Sequence, residues 1–446
     1  MAEQKQDAVR VDWRQSVTWL SLFRGFRIGL DVKKMLLGFV ALVATYAVFL
    51  ILTSLWDAFG QNAPREDLLP NVARDVVTLV GDVPDAILRQ DLNVLREGNI
   101  LREGAVGIAD QVRRTVRDFP GFSIVFGILV LLIWSYFGGA ICRMAAVQFG
   151  RDERISFTEA LTFTGRKYLS LVFAPIVPFL AILFVCVFTG AVGLLARIPY
   201  FGEWFAGLFW PMPLIAGFIL ALIAVGAMFG LPLMHPTIGA EGSDAFDAIS
   251  RSFSYVYSRP WRAVFYGVLA AIYGAVVFTF VAIFAGLLLW FSRFCVTFWG
   301  GQVFPAVDLG EKIHRMWPDI GVFRWEPWAG TALGWEQLSG SERGAAFFLG
   351  FWVWLVYGLV WGYAVSYGYS ALTIIYFLLR KNVDNTEFDE VYLEEEEEET
   401  FEEFAEEPAK PEEGAPAEGK AEEAGKPPEP PGAGEDTAGE EPGEES

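Results

Sequence analysis

Residues 35–56, MLLGFVALVATYAVFLILTSLW, run from Met35 to Trp56 without a single charged side chain. A hydrocarbon layer about 30 Å thick takes roughly 20 residues of helix to cross, and a helix is the one open-ended segment that satisfies all its backbone amides there. Five further stretches read the same way: 122–142, 168–196, 204–234, 263–290 and 345–379. Their interiors carry no Asp, Glu, Lys, Arg or His, so each is cheap to insert. The sequence thus predicts an all-α polytopic transmembrane helical bundle of about six spans. The first apolar stretch begins at Met35 after a long polar and amphipathic segment and meets no small-residue cleavage site. It reads as a retained first span.

Composition agrees, with 53% hydrophobic and 20% charged residues, 39 Phe and 16 Trp. The formal charge of -20 is a property of one segment. Residues 384–446 hold 26 Asp and Glu against three Lys, which leaves the rest of the chain near +3. A low pI therefore describes a tail and says nothing of the substrate. That tail, taken from residue 380 onward, passes through six glutamates from Glu394 to Glu399 and then alternates Glu, Pro, Gly, Ala and Lys, a composition that forms no packed core. It is expected to be disordered, either a solubilising brush or a site for a basic cytoplasmic protein.

Orientation follows from Lys and Arg near the span ends. Arg24, Arg27, Lys33 and Lys34 precede the first span, Arg143, Arg151, Arg154, Arg166 and Lys167 lie between the second and third, Arg251, Arg259 and Arg262 between the fourth and fifth, and Arg380 and Lys381 after the sixth. One side therefore collects the basic loops. Both termini are expected in the cytoplasm of a bacterial cell, with the loops 57–121 and 291–344 on the far side of the inner membrane. The first loop has a helical pattern in Leu69, Val72, Val76 and Val80, and again in Val112 and Val116, before Pro120. The second is rich in Trp, including Trp299, Trp317, Trp325, Trp328 and Trp335, which suits an interfacial belt; a ligand or lipid cradle is the alternative. Residues 13–34 interleave Trp19, Phe23, Phe26 and Ile28 with Arg24 and Arg27, as expected of a helix lying in the interface.

Two basic-side loops resemble each other at an offset of 88 residues. Residues 155–163 and 244–253 each form an amphipathic helix leading into a span, with Ala160-Leu161 superposing on Ala248-Ile249. Ser156 and Glu159 form a capping box, and Phe246, Ile249, Phe253 and Val256 are expected on one face of the second helix, with Arg251, Ser252 and Tyr255 off it. The Ala248-Ile-Ser-Arg-Ser-Phe253 helix, the Arg259-Pro-Trp-Arg262 corner and the number of spans resemble the membrane domain of bacterial glycerophosphoryl diester phosphodiesterases and related multi-span proteins. The resemblance covers roughly 122–379 and implies a membrane module. The catalytic barrel of that family has no counterpart here, so no catalytic residue is carried over.

Candidate sites are few. Pro175 and Pro178 in the third span, and Pro211 and Pro213 in the fourth, release backbone carbonyls and could shape a kink or a cavity. Gly358 and Gly362 form a small-xxx-small pair suited to close helix packing, within or between subunits. Arg143, Arg166, Lys167, Arg259 and Arg262 are placed to meet lipid headgroups. Cys142, Cys186 and Cys295, with His235 and His314, are too scattered for a metal or redox spacing, and no phosphate loop or nucleophile motif occurs. No catalytic residue, metal or cofactor is assigned. The leading expectation is a non-enzymatic membrane protein with an organising or assembly role; a transporter, channel or lipid translocator comes second and a membrane enzyme third. Membrane lipids, a second copy of the chain and a basic protein at the tail are the partners considered, and nucleic acid is not.

Overall fold

A computed structural model describes residues 18–60, 64, 99–303, 309–318 and 338–392. The helical pattern expected around Leu69 to Val80, the Trp325, Trp328 and Trp335 cluster and the tail beyond Tyr392 lie outside the described residues. Among the described residues a 3-10 turn (Thr18–Phe23) is followed by twelve α-helices: α1 (Arg24–Gly29), α2 (Val32–Ala58), α3 (Asn99–Asp118), α4 (Pro120–Gly150), α5 (Phe157–Arg166), α6 (Tyr168–Leu195), α7 (Phe201–Leu208), α8 (Pro211–Glu241), α9 (Ala245–Ser258), α10 (Pro260–Val303), α11 (Leu309–Met316) and α12 (Gly340–Val383). The even-numbered helices are the six long and apolar enough to cross a membrane. The all-α polytopic bundle is thus present.

Four spans, α2, α4, α10 and α12, are longer than their apolar stretches, whereas α8 keeps the expected length and is shifted seven residues toward its C-terminus. Helices α4 and α8 have 31 residues and α10 and α12 have 44, about 46 and 66 Å at 1.5 Å per residue, against about 30 Å of hydrocarbon. Helices α4, α8 and α12 run on at the end where the basic loops gather, called here the basic end. There the core is densest. Every residue of α4 from Gly138 to Phe149 is buried, as expected of a helix surrounded on all sides, and the last part of α12 from Thr373 to Arg380 is equally enclosed.

Close approach depends on absent side chains. A Cβ on Gly362 would collide with the Met35 carbonyl, one on Gly358 with the Phe39 ring, and one on Gly38 would lie 2.8 Å from the Gly362 carbonyl. The small-residue pair therefore packs α12 against α2 within one chain. Gly239 brings α8 against α4, where a Cβ would stand 3.0 Å from the Arg143 backbone nitrogen.

The N-terminal segment is part of this bundle. Phe23 meets Tyr273 edge-on at 4.8 Å, Phe26 meets Phe280 and Tyr363, and Ser366 Oγ donates to the Gly29 carbonyl at 2.8 Å. One face of its amphipathic pattern, with Leu22 and Ile28, is buried against protein; Leu20 and Leu30 remain exposed for an interface.

The fourth span differs from its expected limits. Residues from Trp204 belong to the short α7, and the long helix starts at Pro211. Proline lacks an N–H and suits the first turn of a helix, where that donor has no partner anyway. Pro211 and Pro213 thus open α8, and its internal prolines are Pro232 and Pro236. The two linker helices keep their expected start: Ser156 and Glu159 form the capping box, and the Asp244 carboxylate accepts from the Asp247 amide at 2.8 Å. Ala160 and Ala248, paired by the repeat, are both 0% exposed. The expected face of α9 is found in part: Val256 is buried and Ile249 and Phe253 pack against the core, but Ser252 and Tyr255, expected off that face, are buried as well. The buried residues of α9 are Ala245, Ala248, Ser252, Tyr255 and Val256, while Phe246 is 72% exposed. The small residues of α9 lie against α8, where Phe253 fits over Gly226 and Gly230.

Candidate functional site

Helix α8 ends on Glu241 because Gly242 takes a left-handed conformation, φ +62°, which a side chain would strain; its amide still caps Ile238 at 2.9 Å. A carboxylate at a helix C-terminus faces the negative end of the helix dipole and requires cations. Two arrive from other helices. Arg380 of α12 places Nε 3.1 Å from Glu241 Oε1, both side chains being about 10% exposed, and Arg251 of α9 places Nη1 2.7 Å from Oε2. The Tyr376 hydroxyl donates to the same carboxylate. Arg251 also donates from Nε to both Asp247 oxygens at 2.9 Å, across one helical turn. The Tyr255 hydroxyl donates to Asp384, and its ring lies 5.8 Å from that of Tyr376. Burial, with the Asp384 and Glu241 carboxylates, pushes the Tyr255 ionisation well above the ordinary phenol range. The cluster thus joins α8, α9 and α12 in one network.

Residues after α12 close it. Asn385 takes φ +58°, tolerable for Asn, and Asp384–Tyr392 returns across the ends of α4, α8 and α12 as a strap. Arg380 Nη1 donates to the Glu390 carbonyl at 2.7 Å, Arg151 to the Val391 carbonyl at 3.2 Å, and the Tyr392 amide to the Ala240 carbonyl at 3.0 Å. Phe388 packs 5.4 Å from Phe149 with the Lys381 ammonium 4.5 Å from its ring centre. The sequence reading placed residues 380–392 in the tail. The structure makes them the last packed part of the bundle unit, which ends at Tyr392.

The candidate residues read from sequence do not form one site. Arg143, expected at lipid headgroups, is 3% exposed; it donates to the Gly239 carbonyl at 3.2 Å and lies 4.3 Å from the Phe163 ring centre. Protein therefore takes the place expected for lipid at that residue. Arg166 and Arg259 are exposed, Lys167 is half-buried with its ammonium 5.9 Å from the Tyr392 ring centre, and Arg262 bonds Asn382. Pro175 and Pro178 sit inside α6 near its basic end, whereas Pro211 and Pro213 begin α8 at the opposite end, so they enclose no common cavity. Pro175 does free the Leu171 carbonyl one turn earlier, and Ser135 Oγ of α4 donates to it at 3.3 Å.

Sequence reasoning missed the ionic cluster because its members come from four separate segments. The one local signal was Asp247 and Arg251, four apart on a helix. It also missed Lys34, which is 0% exposed and donates to Gln148 Oε1 at 2.6 Å, and His235, which lies within α8 between Pro232 and Pro236 with its ring 6.4 Å from that of Tyr369. All three ionisable groups, Lys34, His235 and Glu241, fall just outside the apolar windows and inside the actual helices.

Six helices among the described residues, each long and apolar enough to cross a membrane, define an integral membrane protein of the polytopic helical class. Comparison of the chain with protein-family models, with curated proteins and with solved structures finds no match in any of the three.

Proposed function

We propose that the chain is a non-enzymatic membrane organiser of a bacterial inner membrane, with its basic end in the cytoplasm and its acidic tail displayed there to a basic partner. The observation that carries this reading is the strap. Arg380 and Arg151 hold Asp384–Tyr392 across the ends of α4, α8 and α12, so the sequence after Tyr392, with its 22 Asp and Glu, continues from a fixed point at the basic end. Fixing the exit point lowers the entropy that a tethered segment loses on binding and raises its effective concentration at a partner held on the same membrane. The buried charges in this reading hold the anchor.

The test compares the full chain with a chain ended after Tyr392, both extracted from their native membrane and sized by native electrophoresis. The full chain is expected in an assembly larger than itself, and the shortened chain as the bare bundle with unchanged thermal stability. Equal assembly size for both overturns the reading.

A second reading, transport, is favoured by His235 and Glu241 in α8 and by Lys34 in α2, since ionisable groups inside spanning helices often mark an ion or substrate path. Proton-coupled flux into proteoliposomes that disappears in His235→Ala supports transport; flux equal to empty liposomes removes it.

A further inference from the structure

At the end of the bundle opposite the basic one, α10, α11 and α12 line a half-open cavity of about 320 Å³, within the range of about 300–1,000 Å³ usual for small-molecule sites. Its walls are apolar: Leu289 and Val296 from α10, Ile313 from α11, Leu349 and Val353 from α12. One lining side chain carries a charge, Arg293. Its Nη2 donates to His314 Nδ1 at 2.8 Å, and its guanidinium lies 5.2 Å from the Trp317 ring centre, so two contacts orient it and leave further N–H groups to donate. Among the described residues no carboxylate pairs with Arg293; Glu342, at the start of α12, is engaged by Lys312 at 3.1 Å. Arg315, on the same short helix as His314, has a buried Nε without a hydrogen-bond partner among the described residues.

We infer that this cavity is a site for one anionic phospholipid of the membrane, with an acyl chain between α10 and α12 and the phosphate at Arg293. The placement argues for it. Most of its lining comes from two membrane-crossing helices, and Leu288, Val296 and Trp352 of that lining are exposed, so a lipid tail can reach it from the hydrocarbon layer. Arg293 stands in the last third of α10, where the span leaves the apolar layer and a headgroup is found. An arginine fork donates to phosphate oxygens at two points. His314 and Trp317, the indole being suited to the interfacial layer, hold that fork in place.

The test is native mass spectrometry of the full chain released from nanodiscs made of equal parts phosphatidylglycerol and phosphatidylcholine. The wild type is expected to retain one phospholipid, enriched in phosphatidylglycerol by about tenfold, the size of one charge-assisted contact. Arg293→Gln keeps a bound lipid and brings the two headgroups to parity. Val296→Trp fills the groove from an exposed position, 56% exposed in the wild type, and removes the retained lipid. In the wild type, a phosphatidylglycerol with a photoreactive tail crosslinks within residues 288–296 or 349–356, which reads the site without any variant. Crosslinks elsewhere, a headgroup ratio indifferent to Arg293→Gln, retention unchanged by Val296→Trp, or no lipid retained by the wild type would each overturn the assignment.

Discussion

Glu241 is the residue on which the basic end turns. It receives Arg251, Arg380 and Tyr376 at once, and removing its charge would leave the largely buried Arg380 guanidinium without its closest carboxylate. Breaking a buried ion pair from one side costs several kcal/mol, because the partner stays charged and unpaired. Glu241→Gln is therefore expected to lower stability by about 3 kcal/mol, measured by thermal or denaturant unfolding in detergent. Adding Arg380→Gln should recover part of that loss. A double variant as unstable as the sum of the singles would show that the two side chains do not act together. Gly362 is the second residue with a sharp expectation. A Cβ there meets a backbone carbonyl of α2, which has no side-chain freedom to yield, so Gly362→Leu should destabilise the single chain by more than about 2 kcal/mol. The readout is unfolding of the monomer; an effect confined to oligomer formation would contradict the intramolecular packing.

At the scale of elements, the linker helices are fastened at their starts and the strap at both of its ends. Ser156→Ala and Asp244→Ala each remove an acceptor from an exposed helix start and should cost about 1 kcal/mol, with no change in the spans. The two caps stand at equivalent places in the repeated segments, Ser156 and Asp244, and both helices put a buried alanine, Ala160 and Ala248, at the matching position. The strap is a longer-range device. Tyr392→Ala removes a ring that lies beside Arg143, Lys167 and Gly242, so cleavage by a protease added from the basic side should advance from the tail to between α12 and residue 392. Hydrogen exchange at residues 385–392 checks this directly: protection like that of the α12 terminus is expected in the wild type and its loss in the variant.

For the whole molecule, an even number of spans puts the described N-terminal segment and the strap at one end, as the Arg24–Asp152 pair at 3.1 Å and the Lys33 bond to the Ile155 carbonyl at 3.3 Å require. Reporters fused after residue 392 and within the loop 61–98 should appear on opposite sides of the membrane, with the first in the cytoplasm. The same side for both would refute the topology. What sequence determined here is the class: six stretches such as 35–56 can only be buried in hydrocarbon, since no soluble arrangement covers so much contiguous apolar surface, and the Lys and Arg beside them sort into one set of loops. Periodicity and caps were legible too, because the Ser156–Glu159 and Asp244 signals act within one turn of chain. The tertiary structure alone decided where the charges went. Arg143 looked like a headgroup contact because sequence shows which residues end a span, and not that α5, α8 and the strap converge to cover it. Glu241, Arg251, Arg380 and Asp384 meet across up to 143 positions of chain, and Arg293, held by His314 and Trp317, lines an apolar cavity built by three helices. Hydropathy is a local sum, whereas the pairing of buried charges depends on which helices pack together, and that is fixed by close contacts such as those at Gly38, Gly239, Gly358 and Gly362.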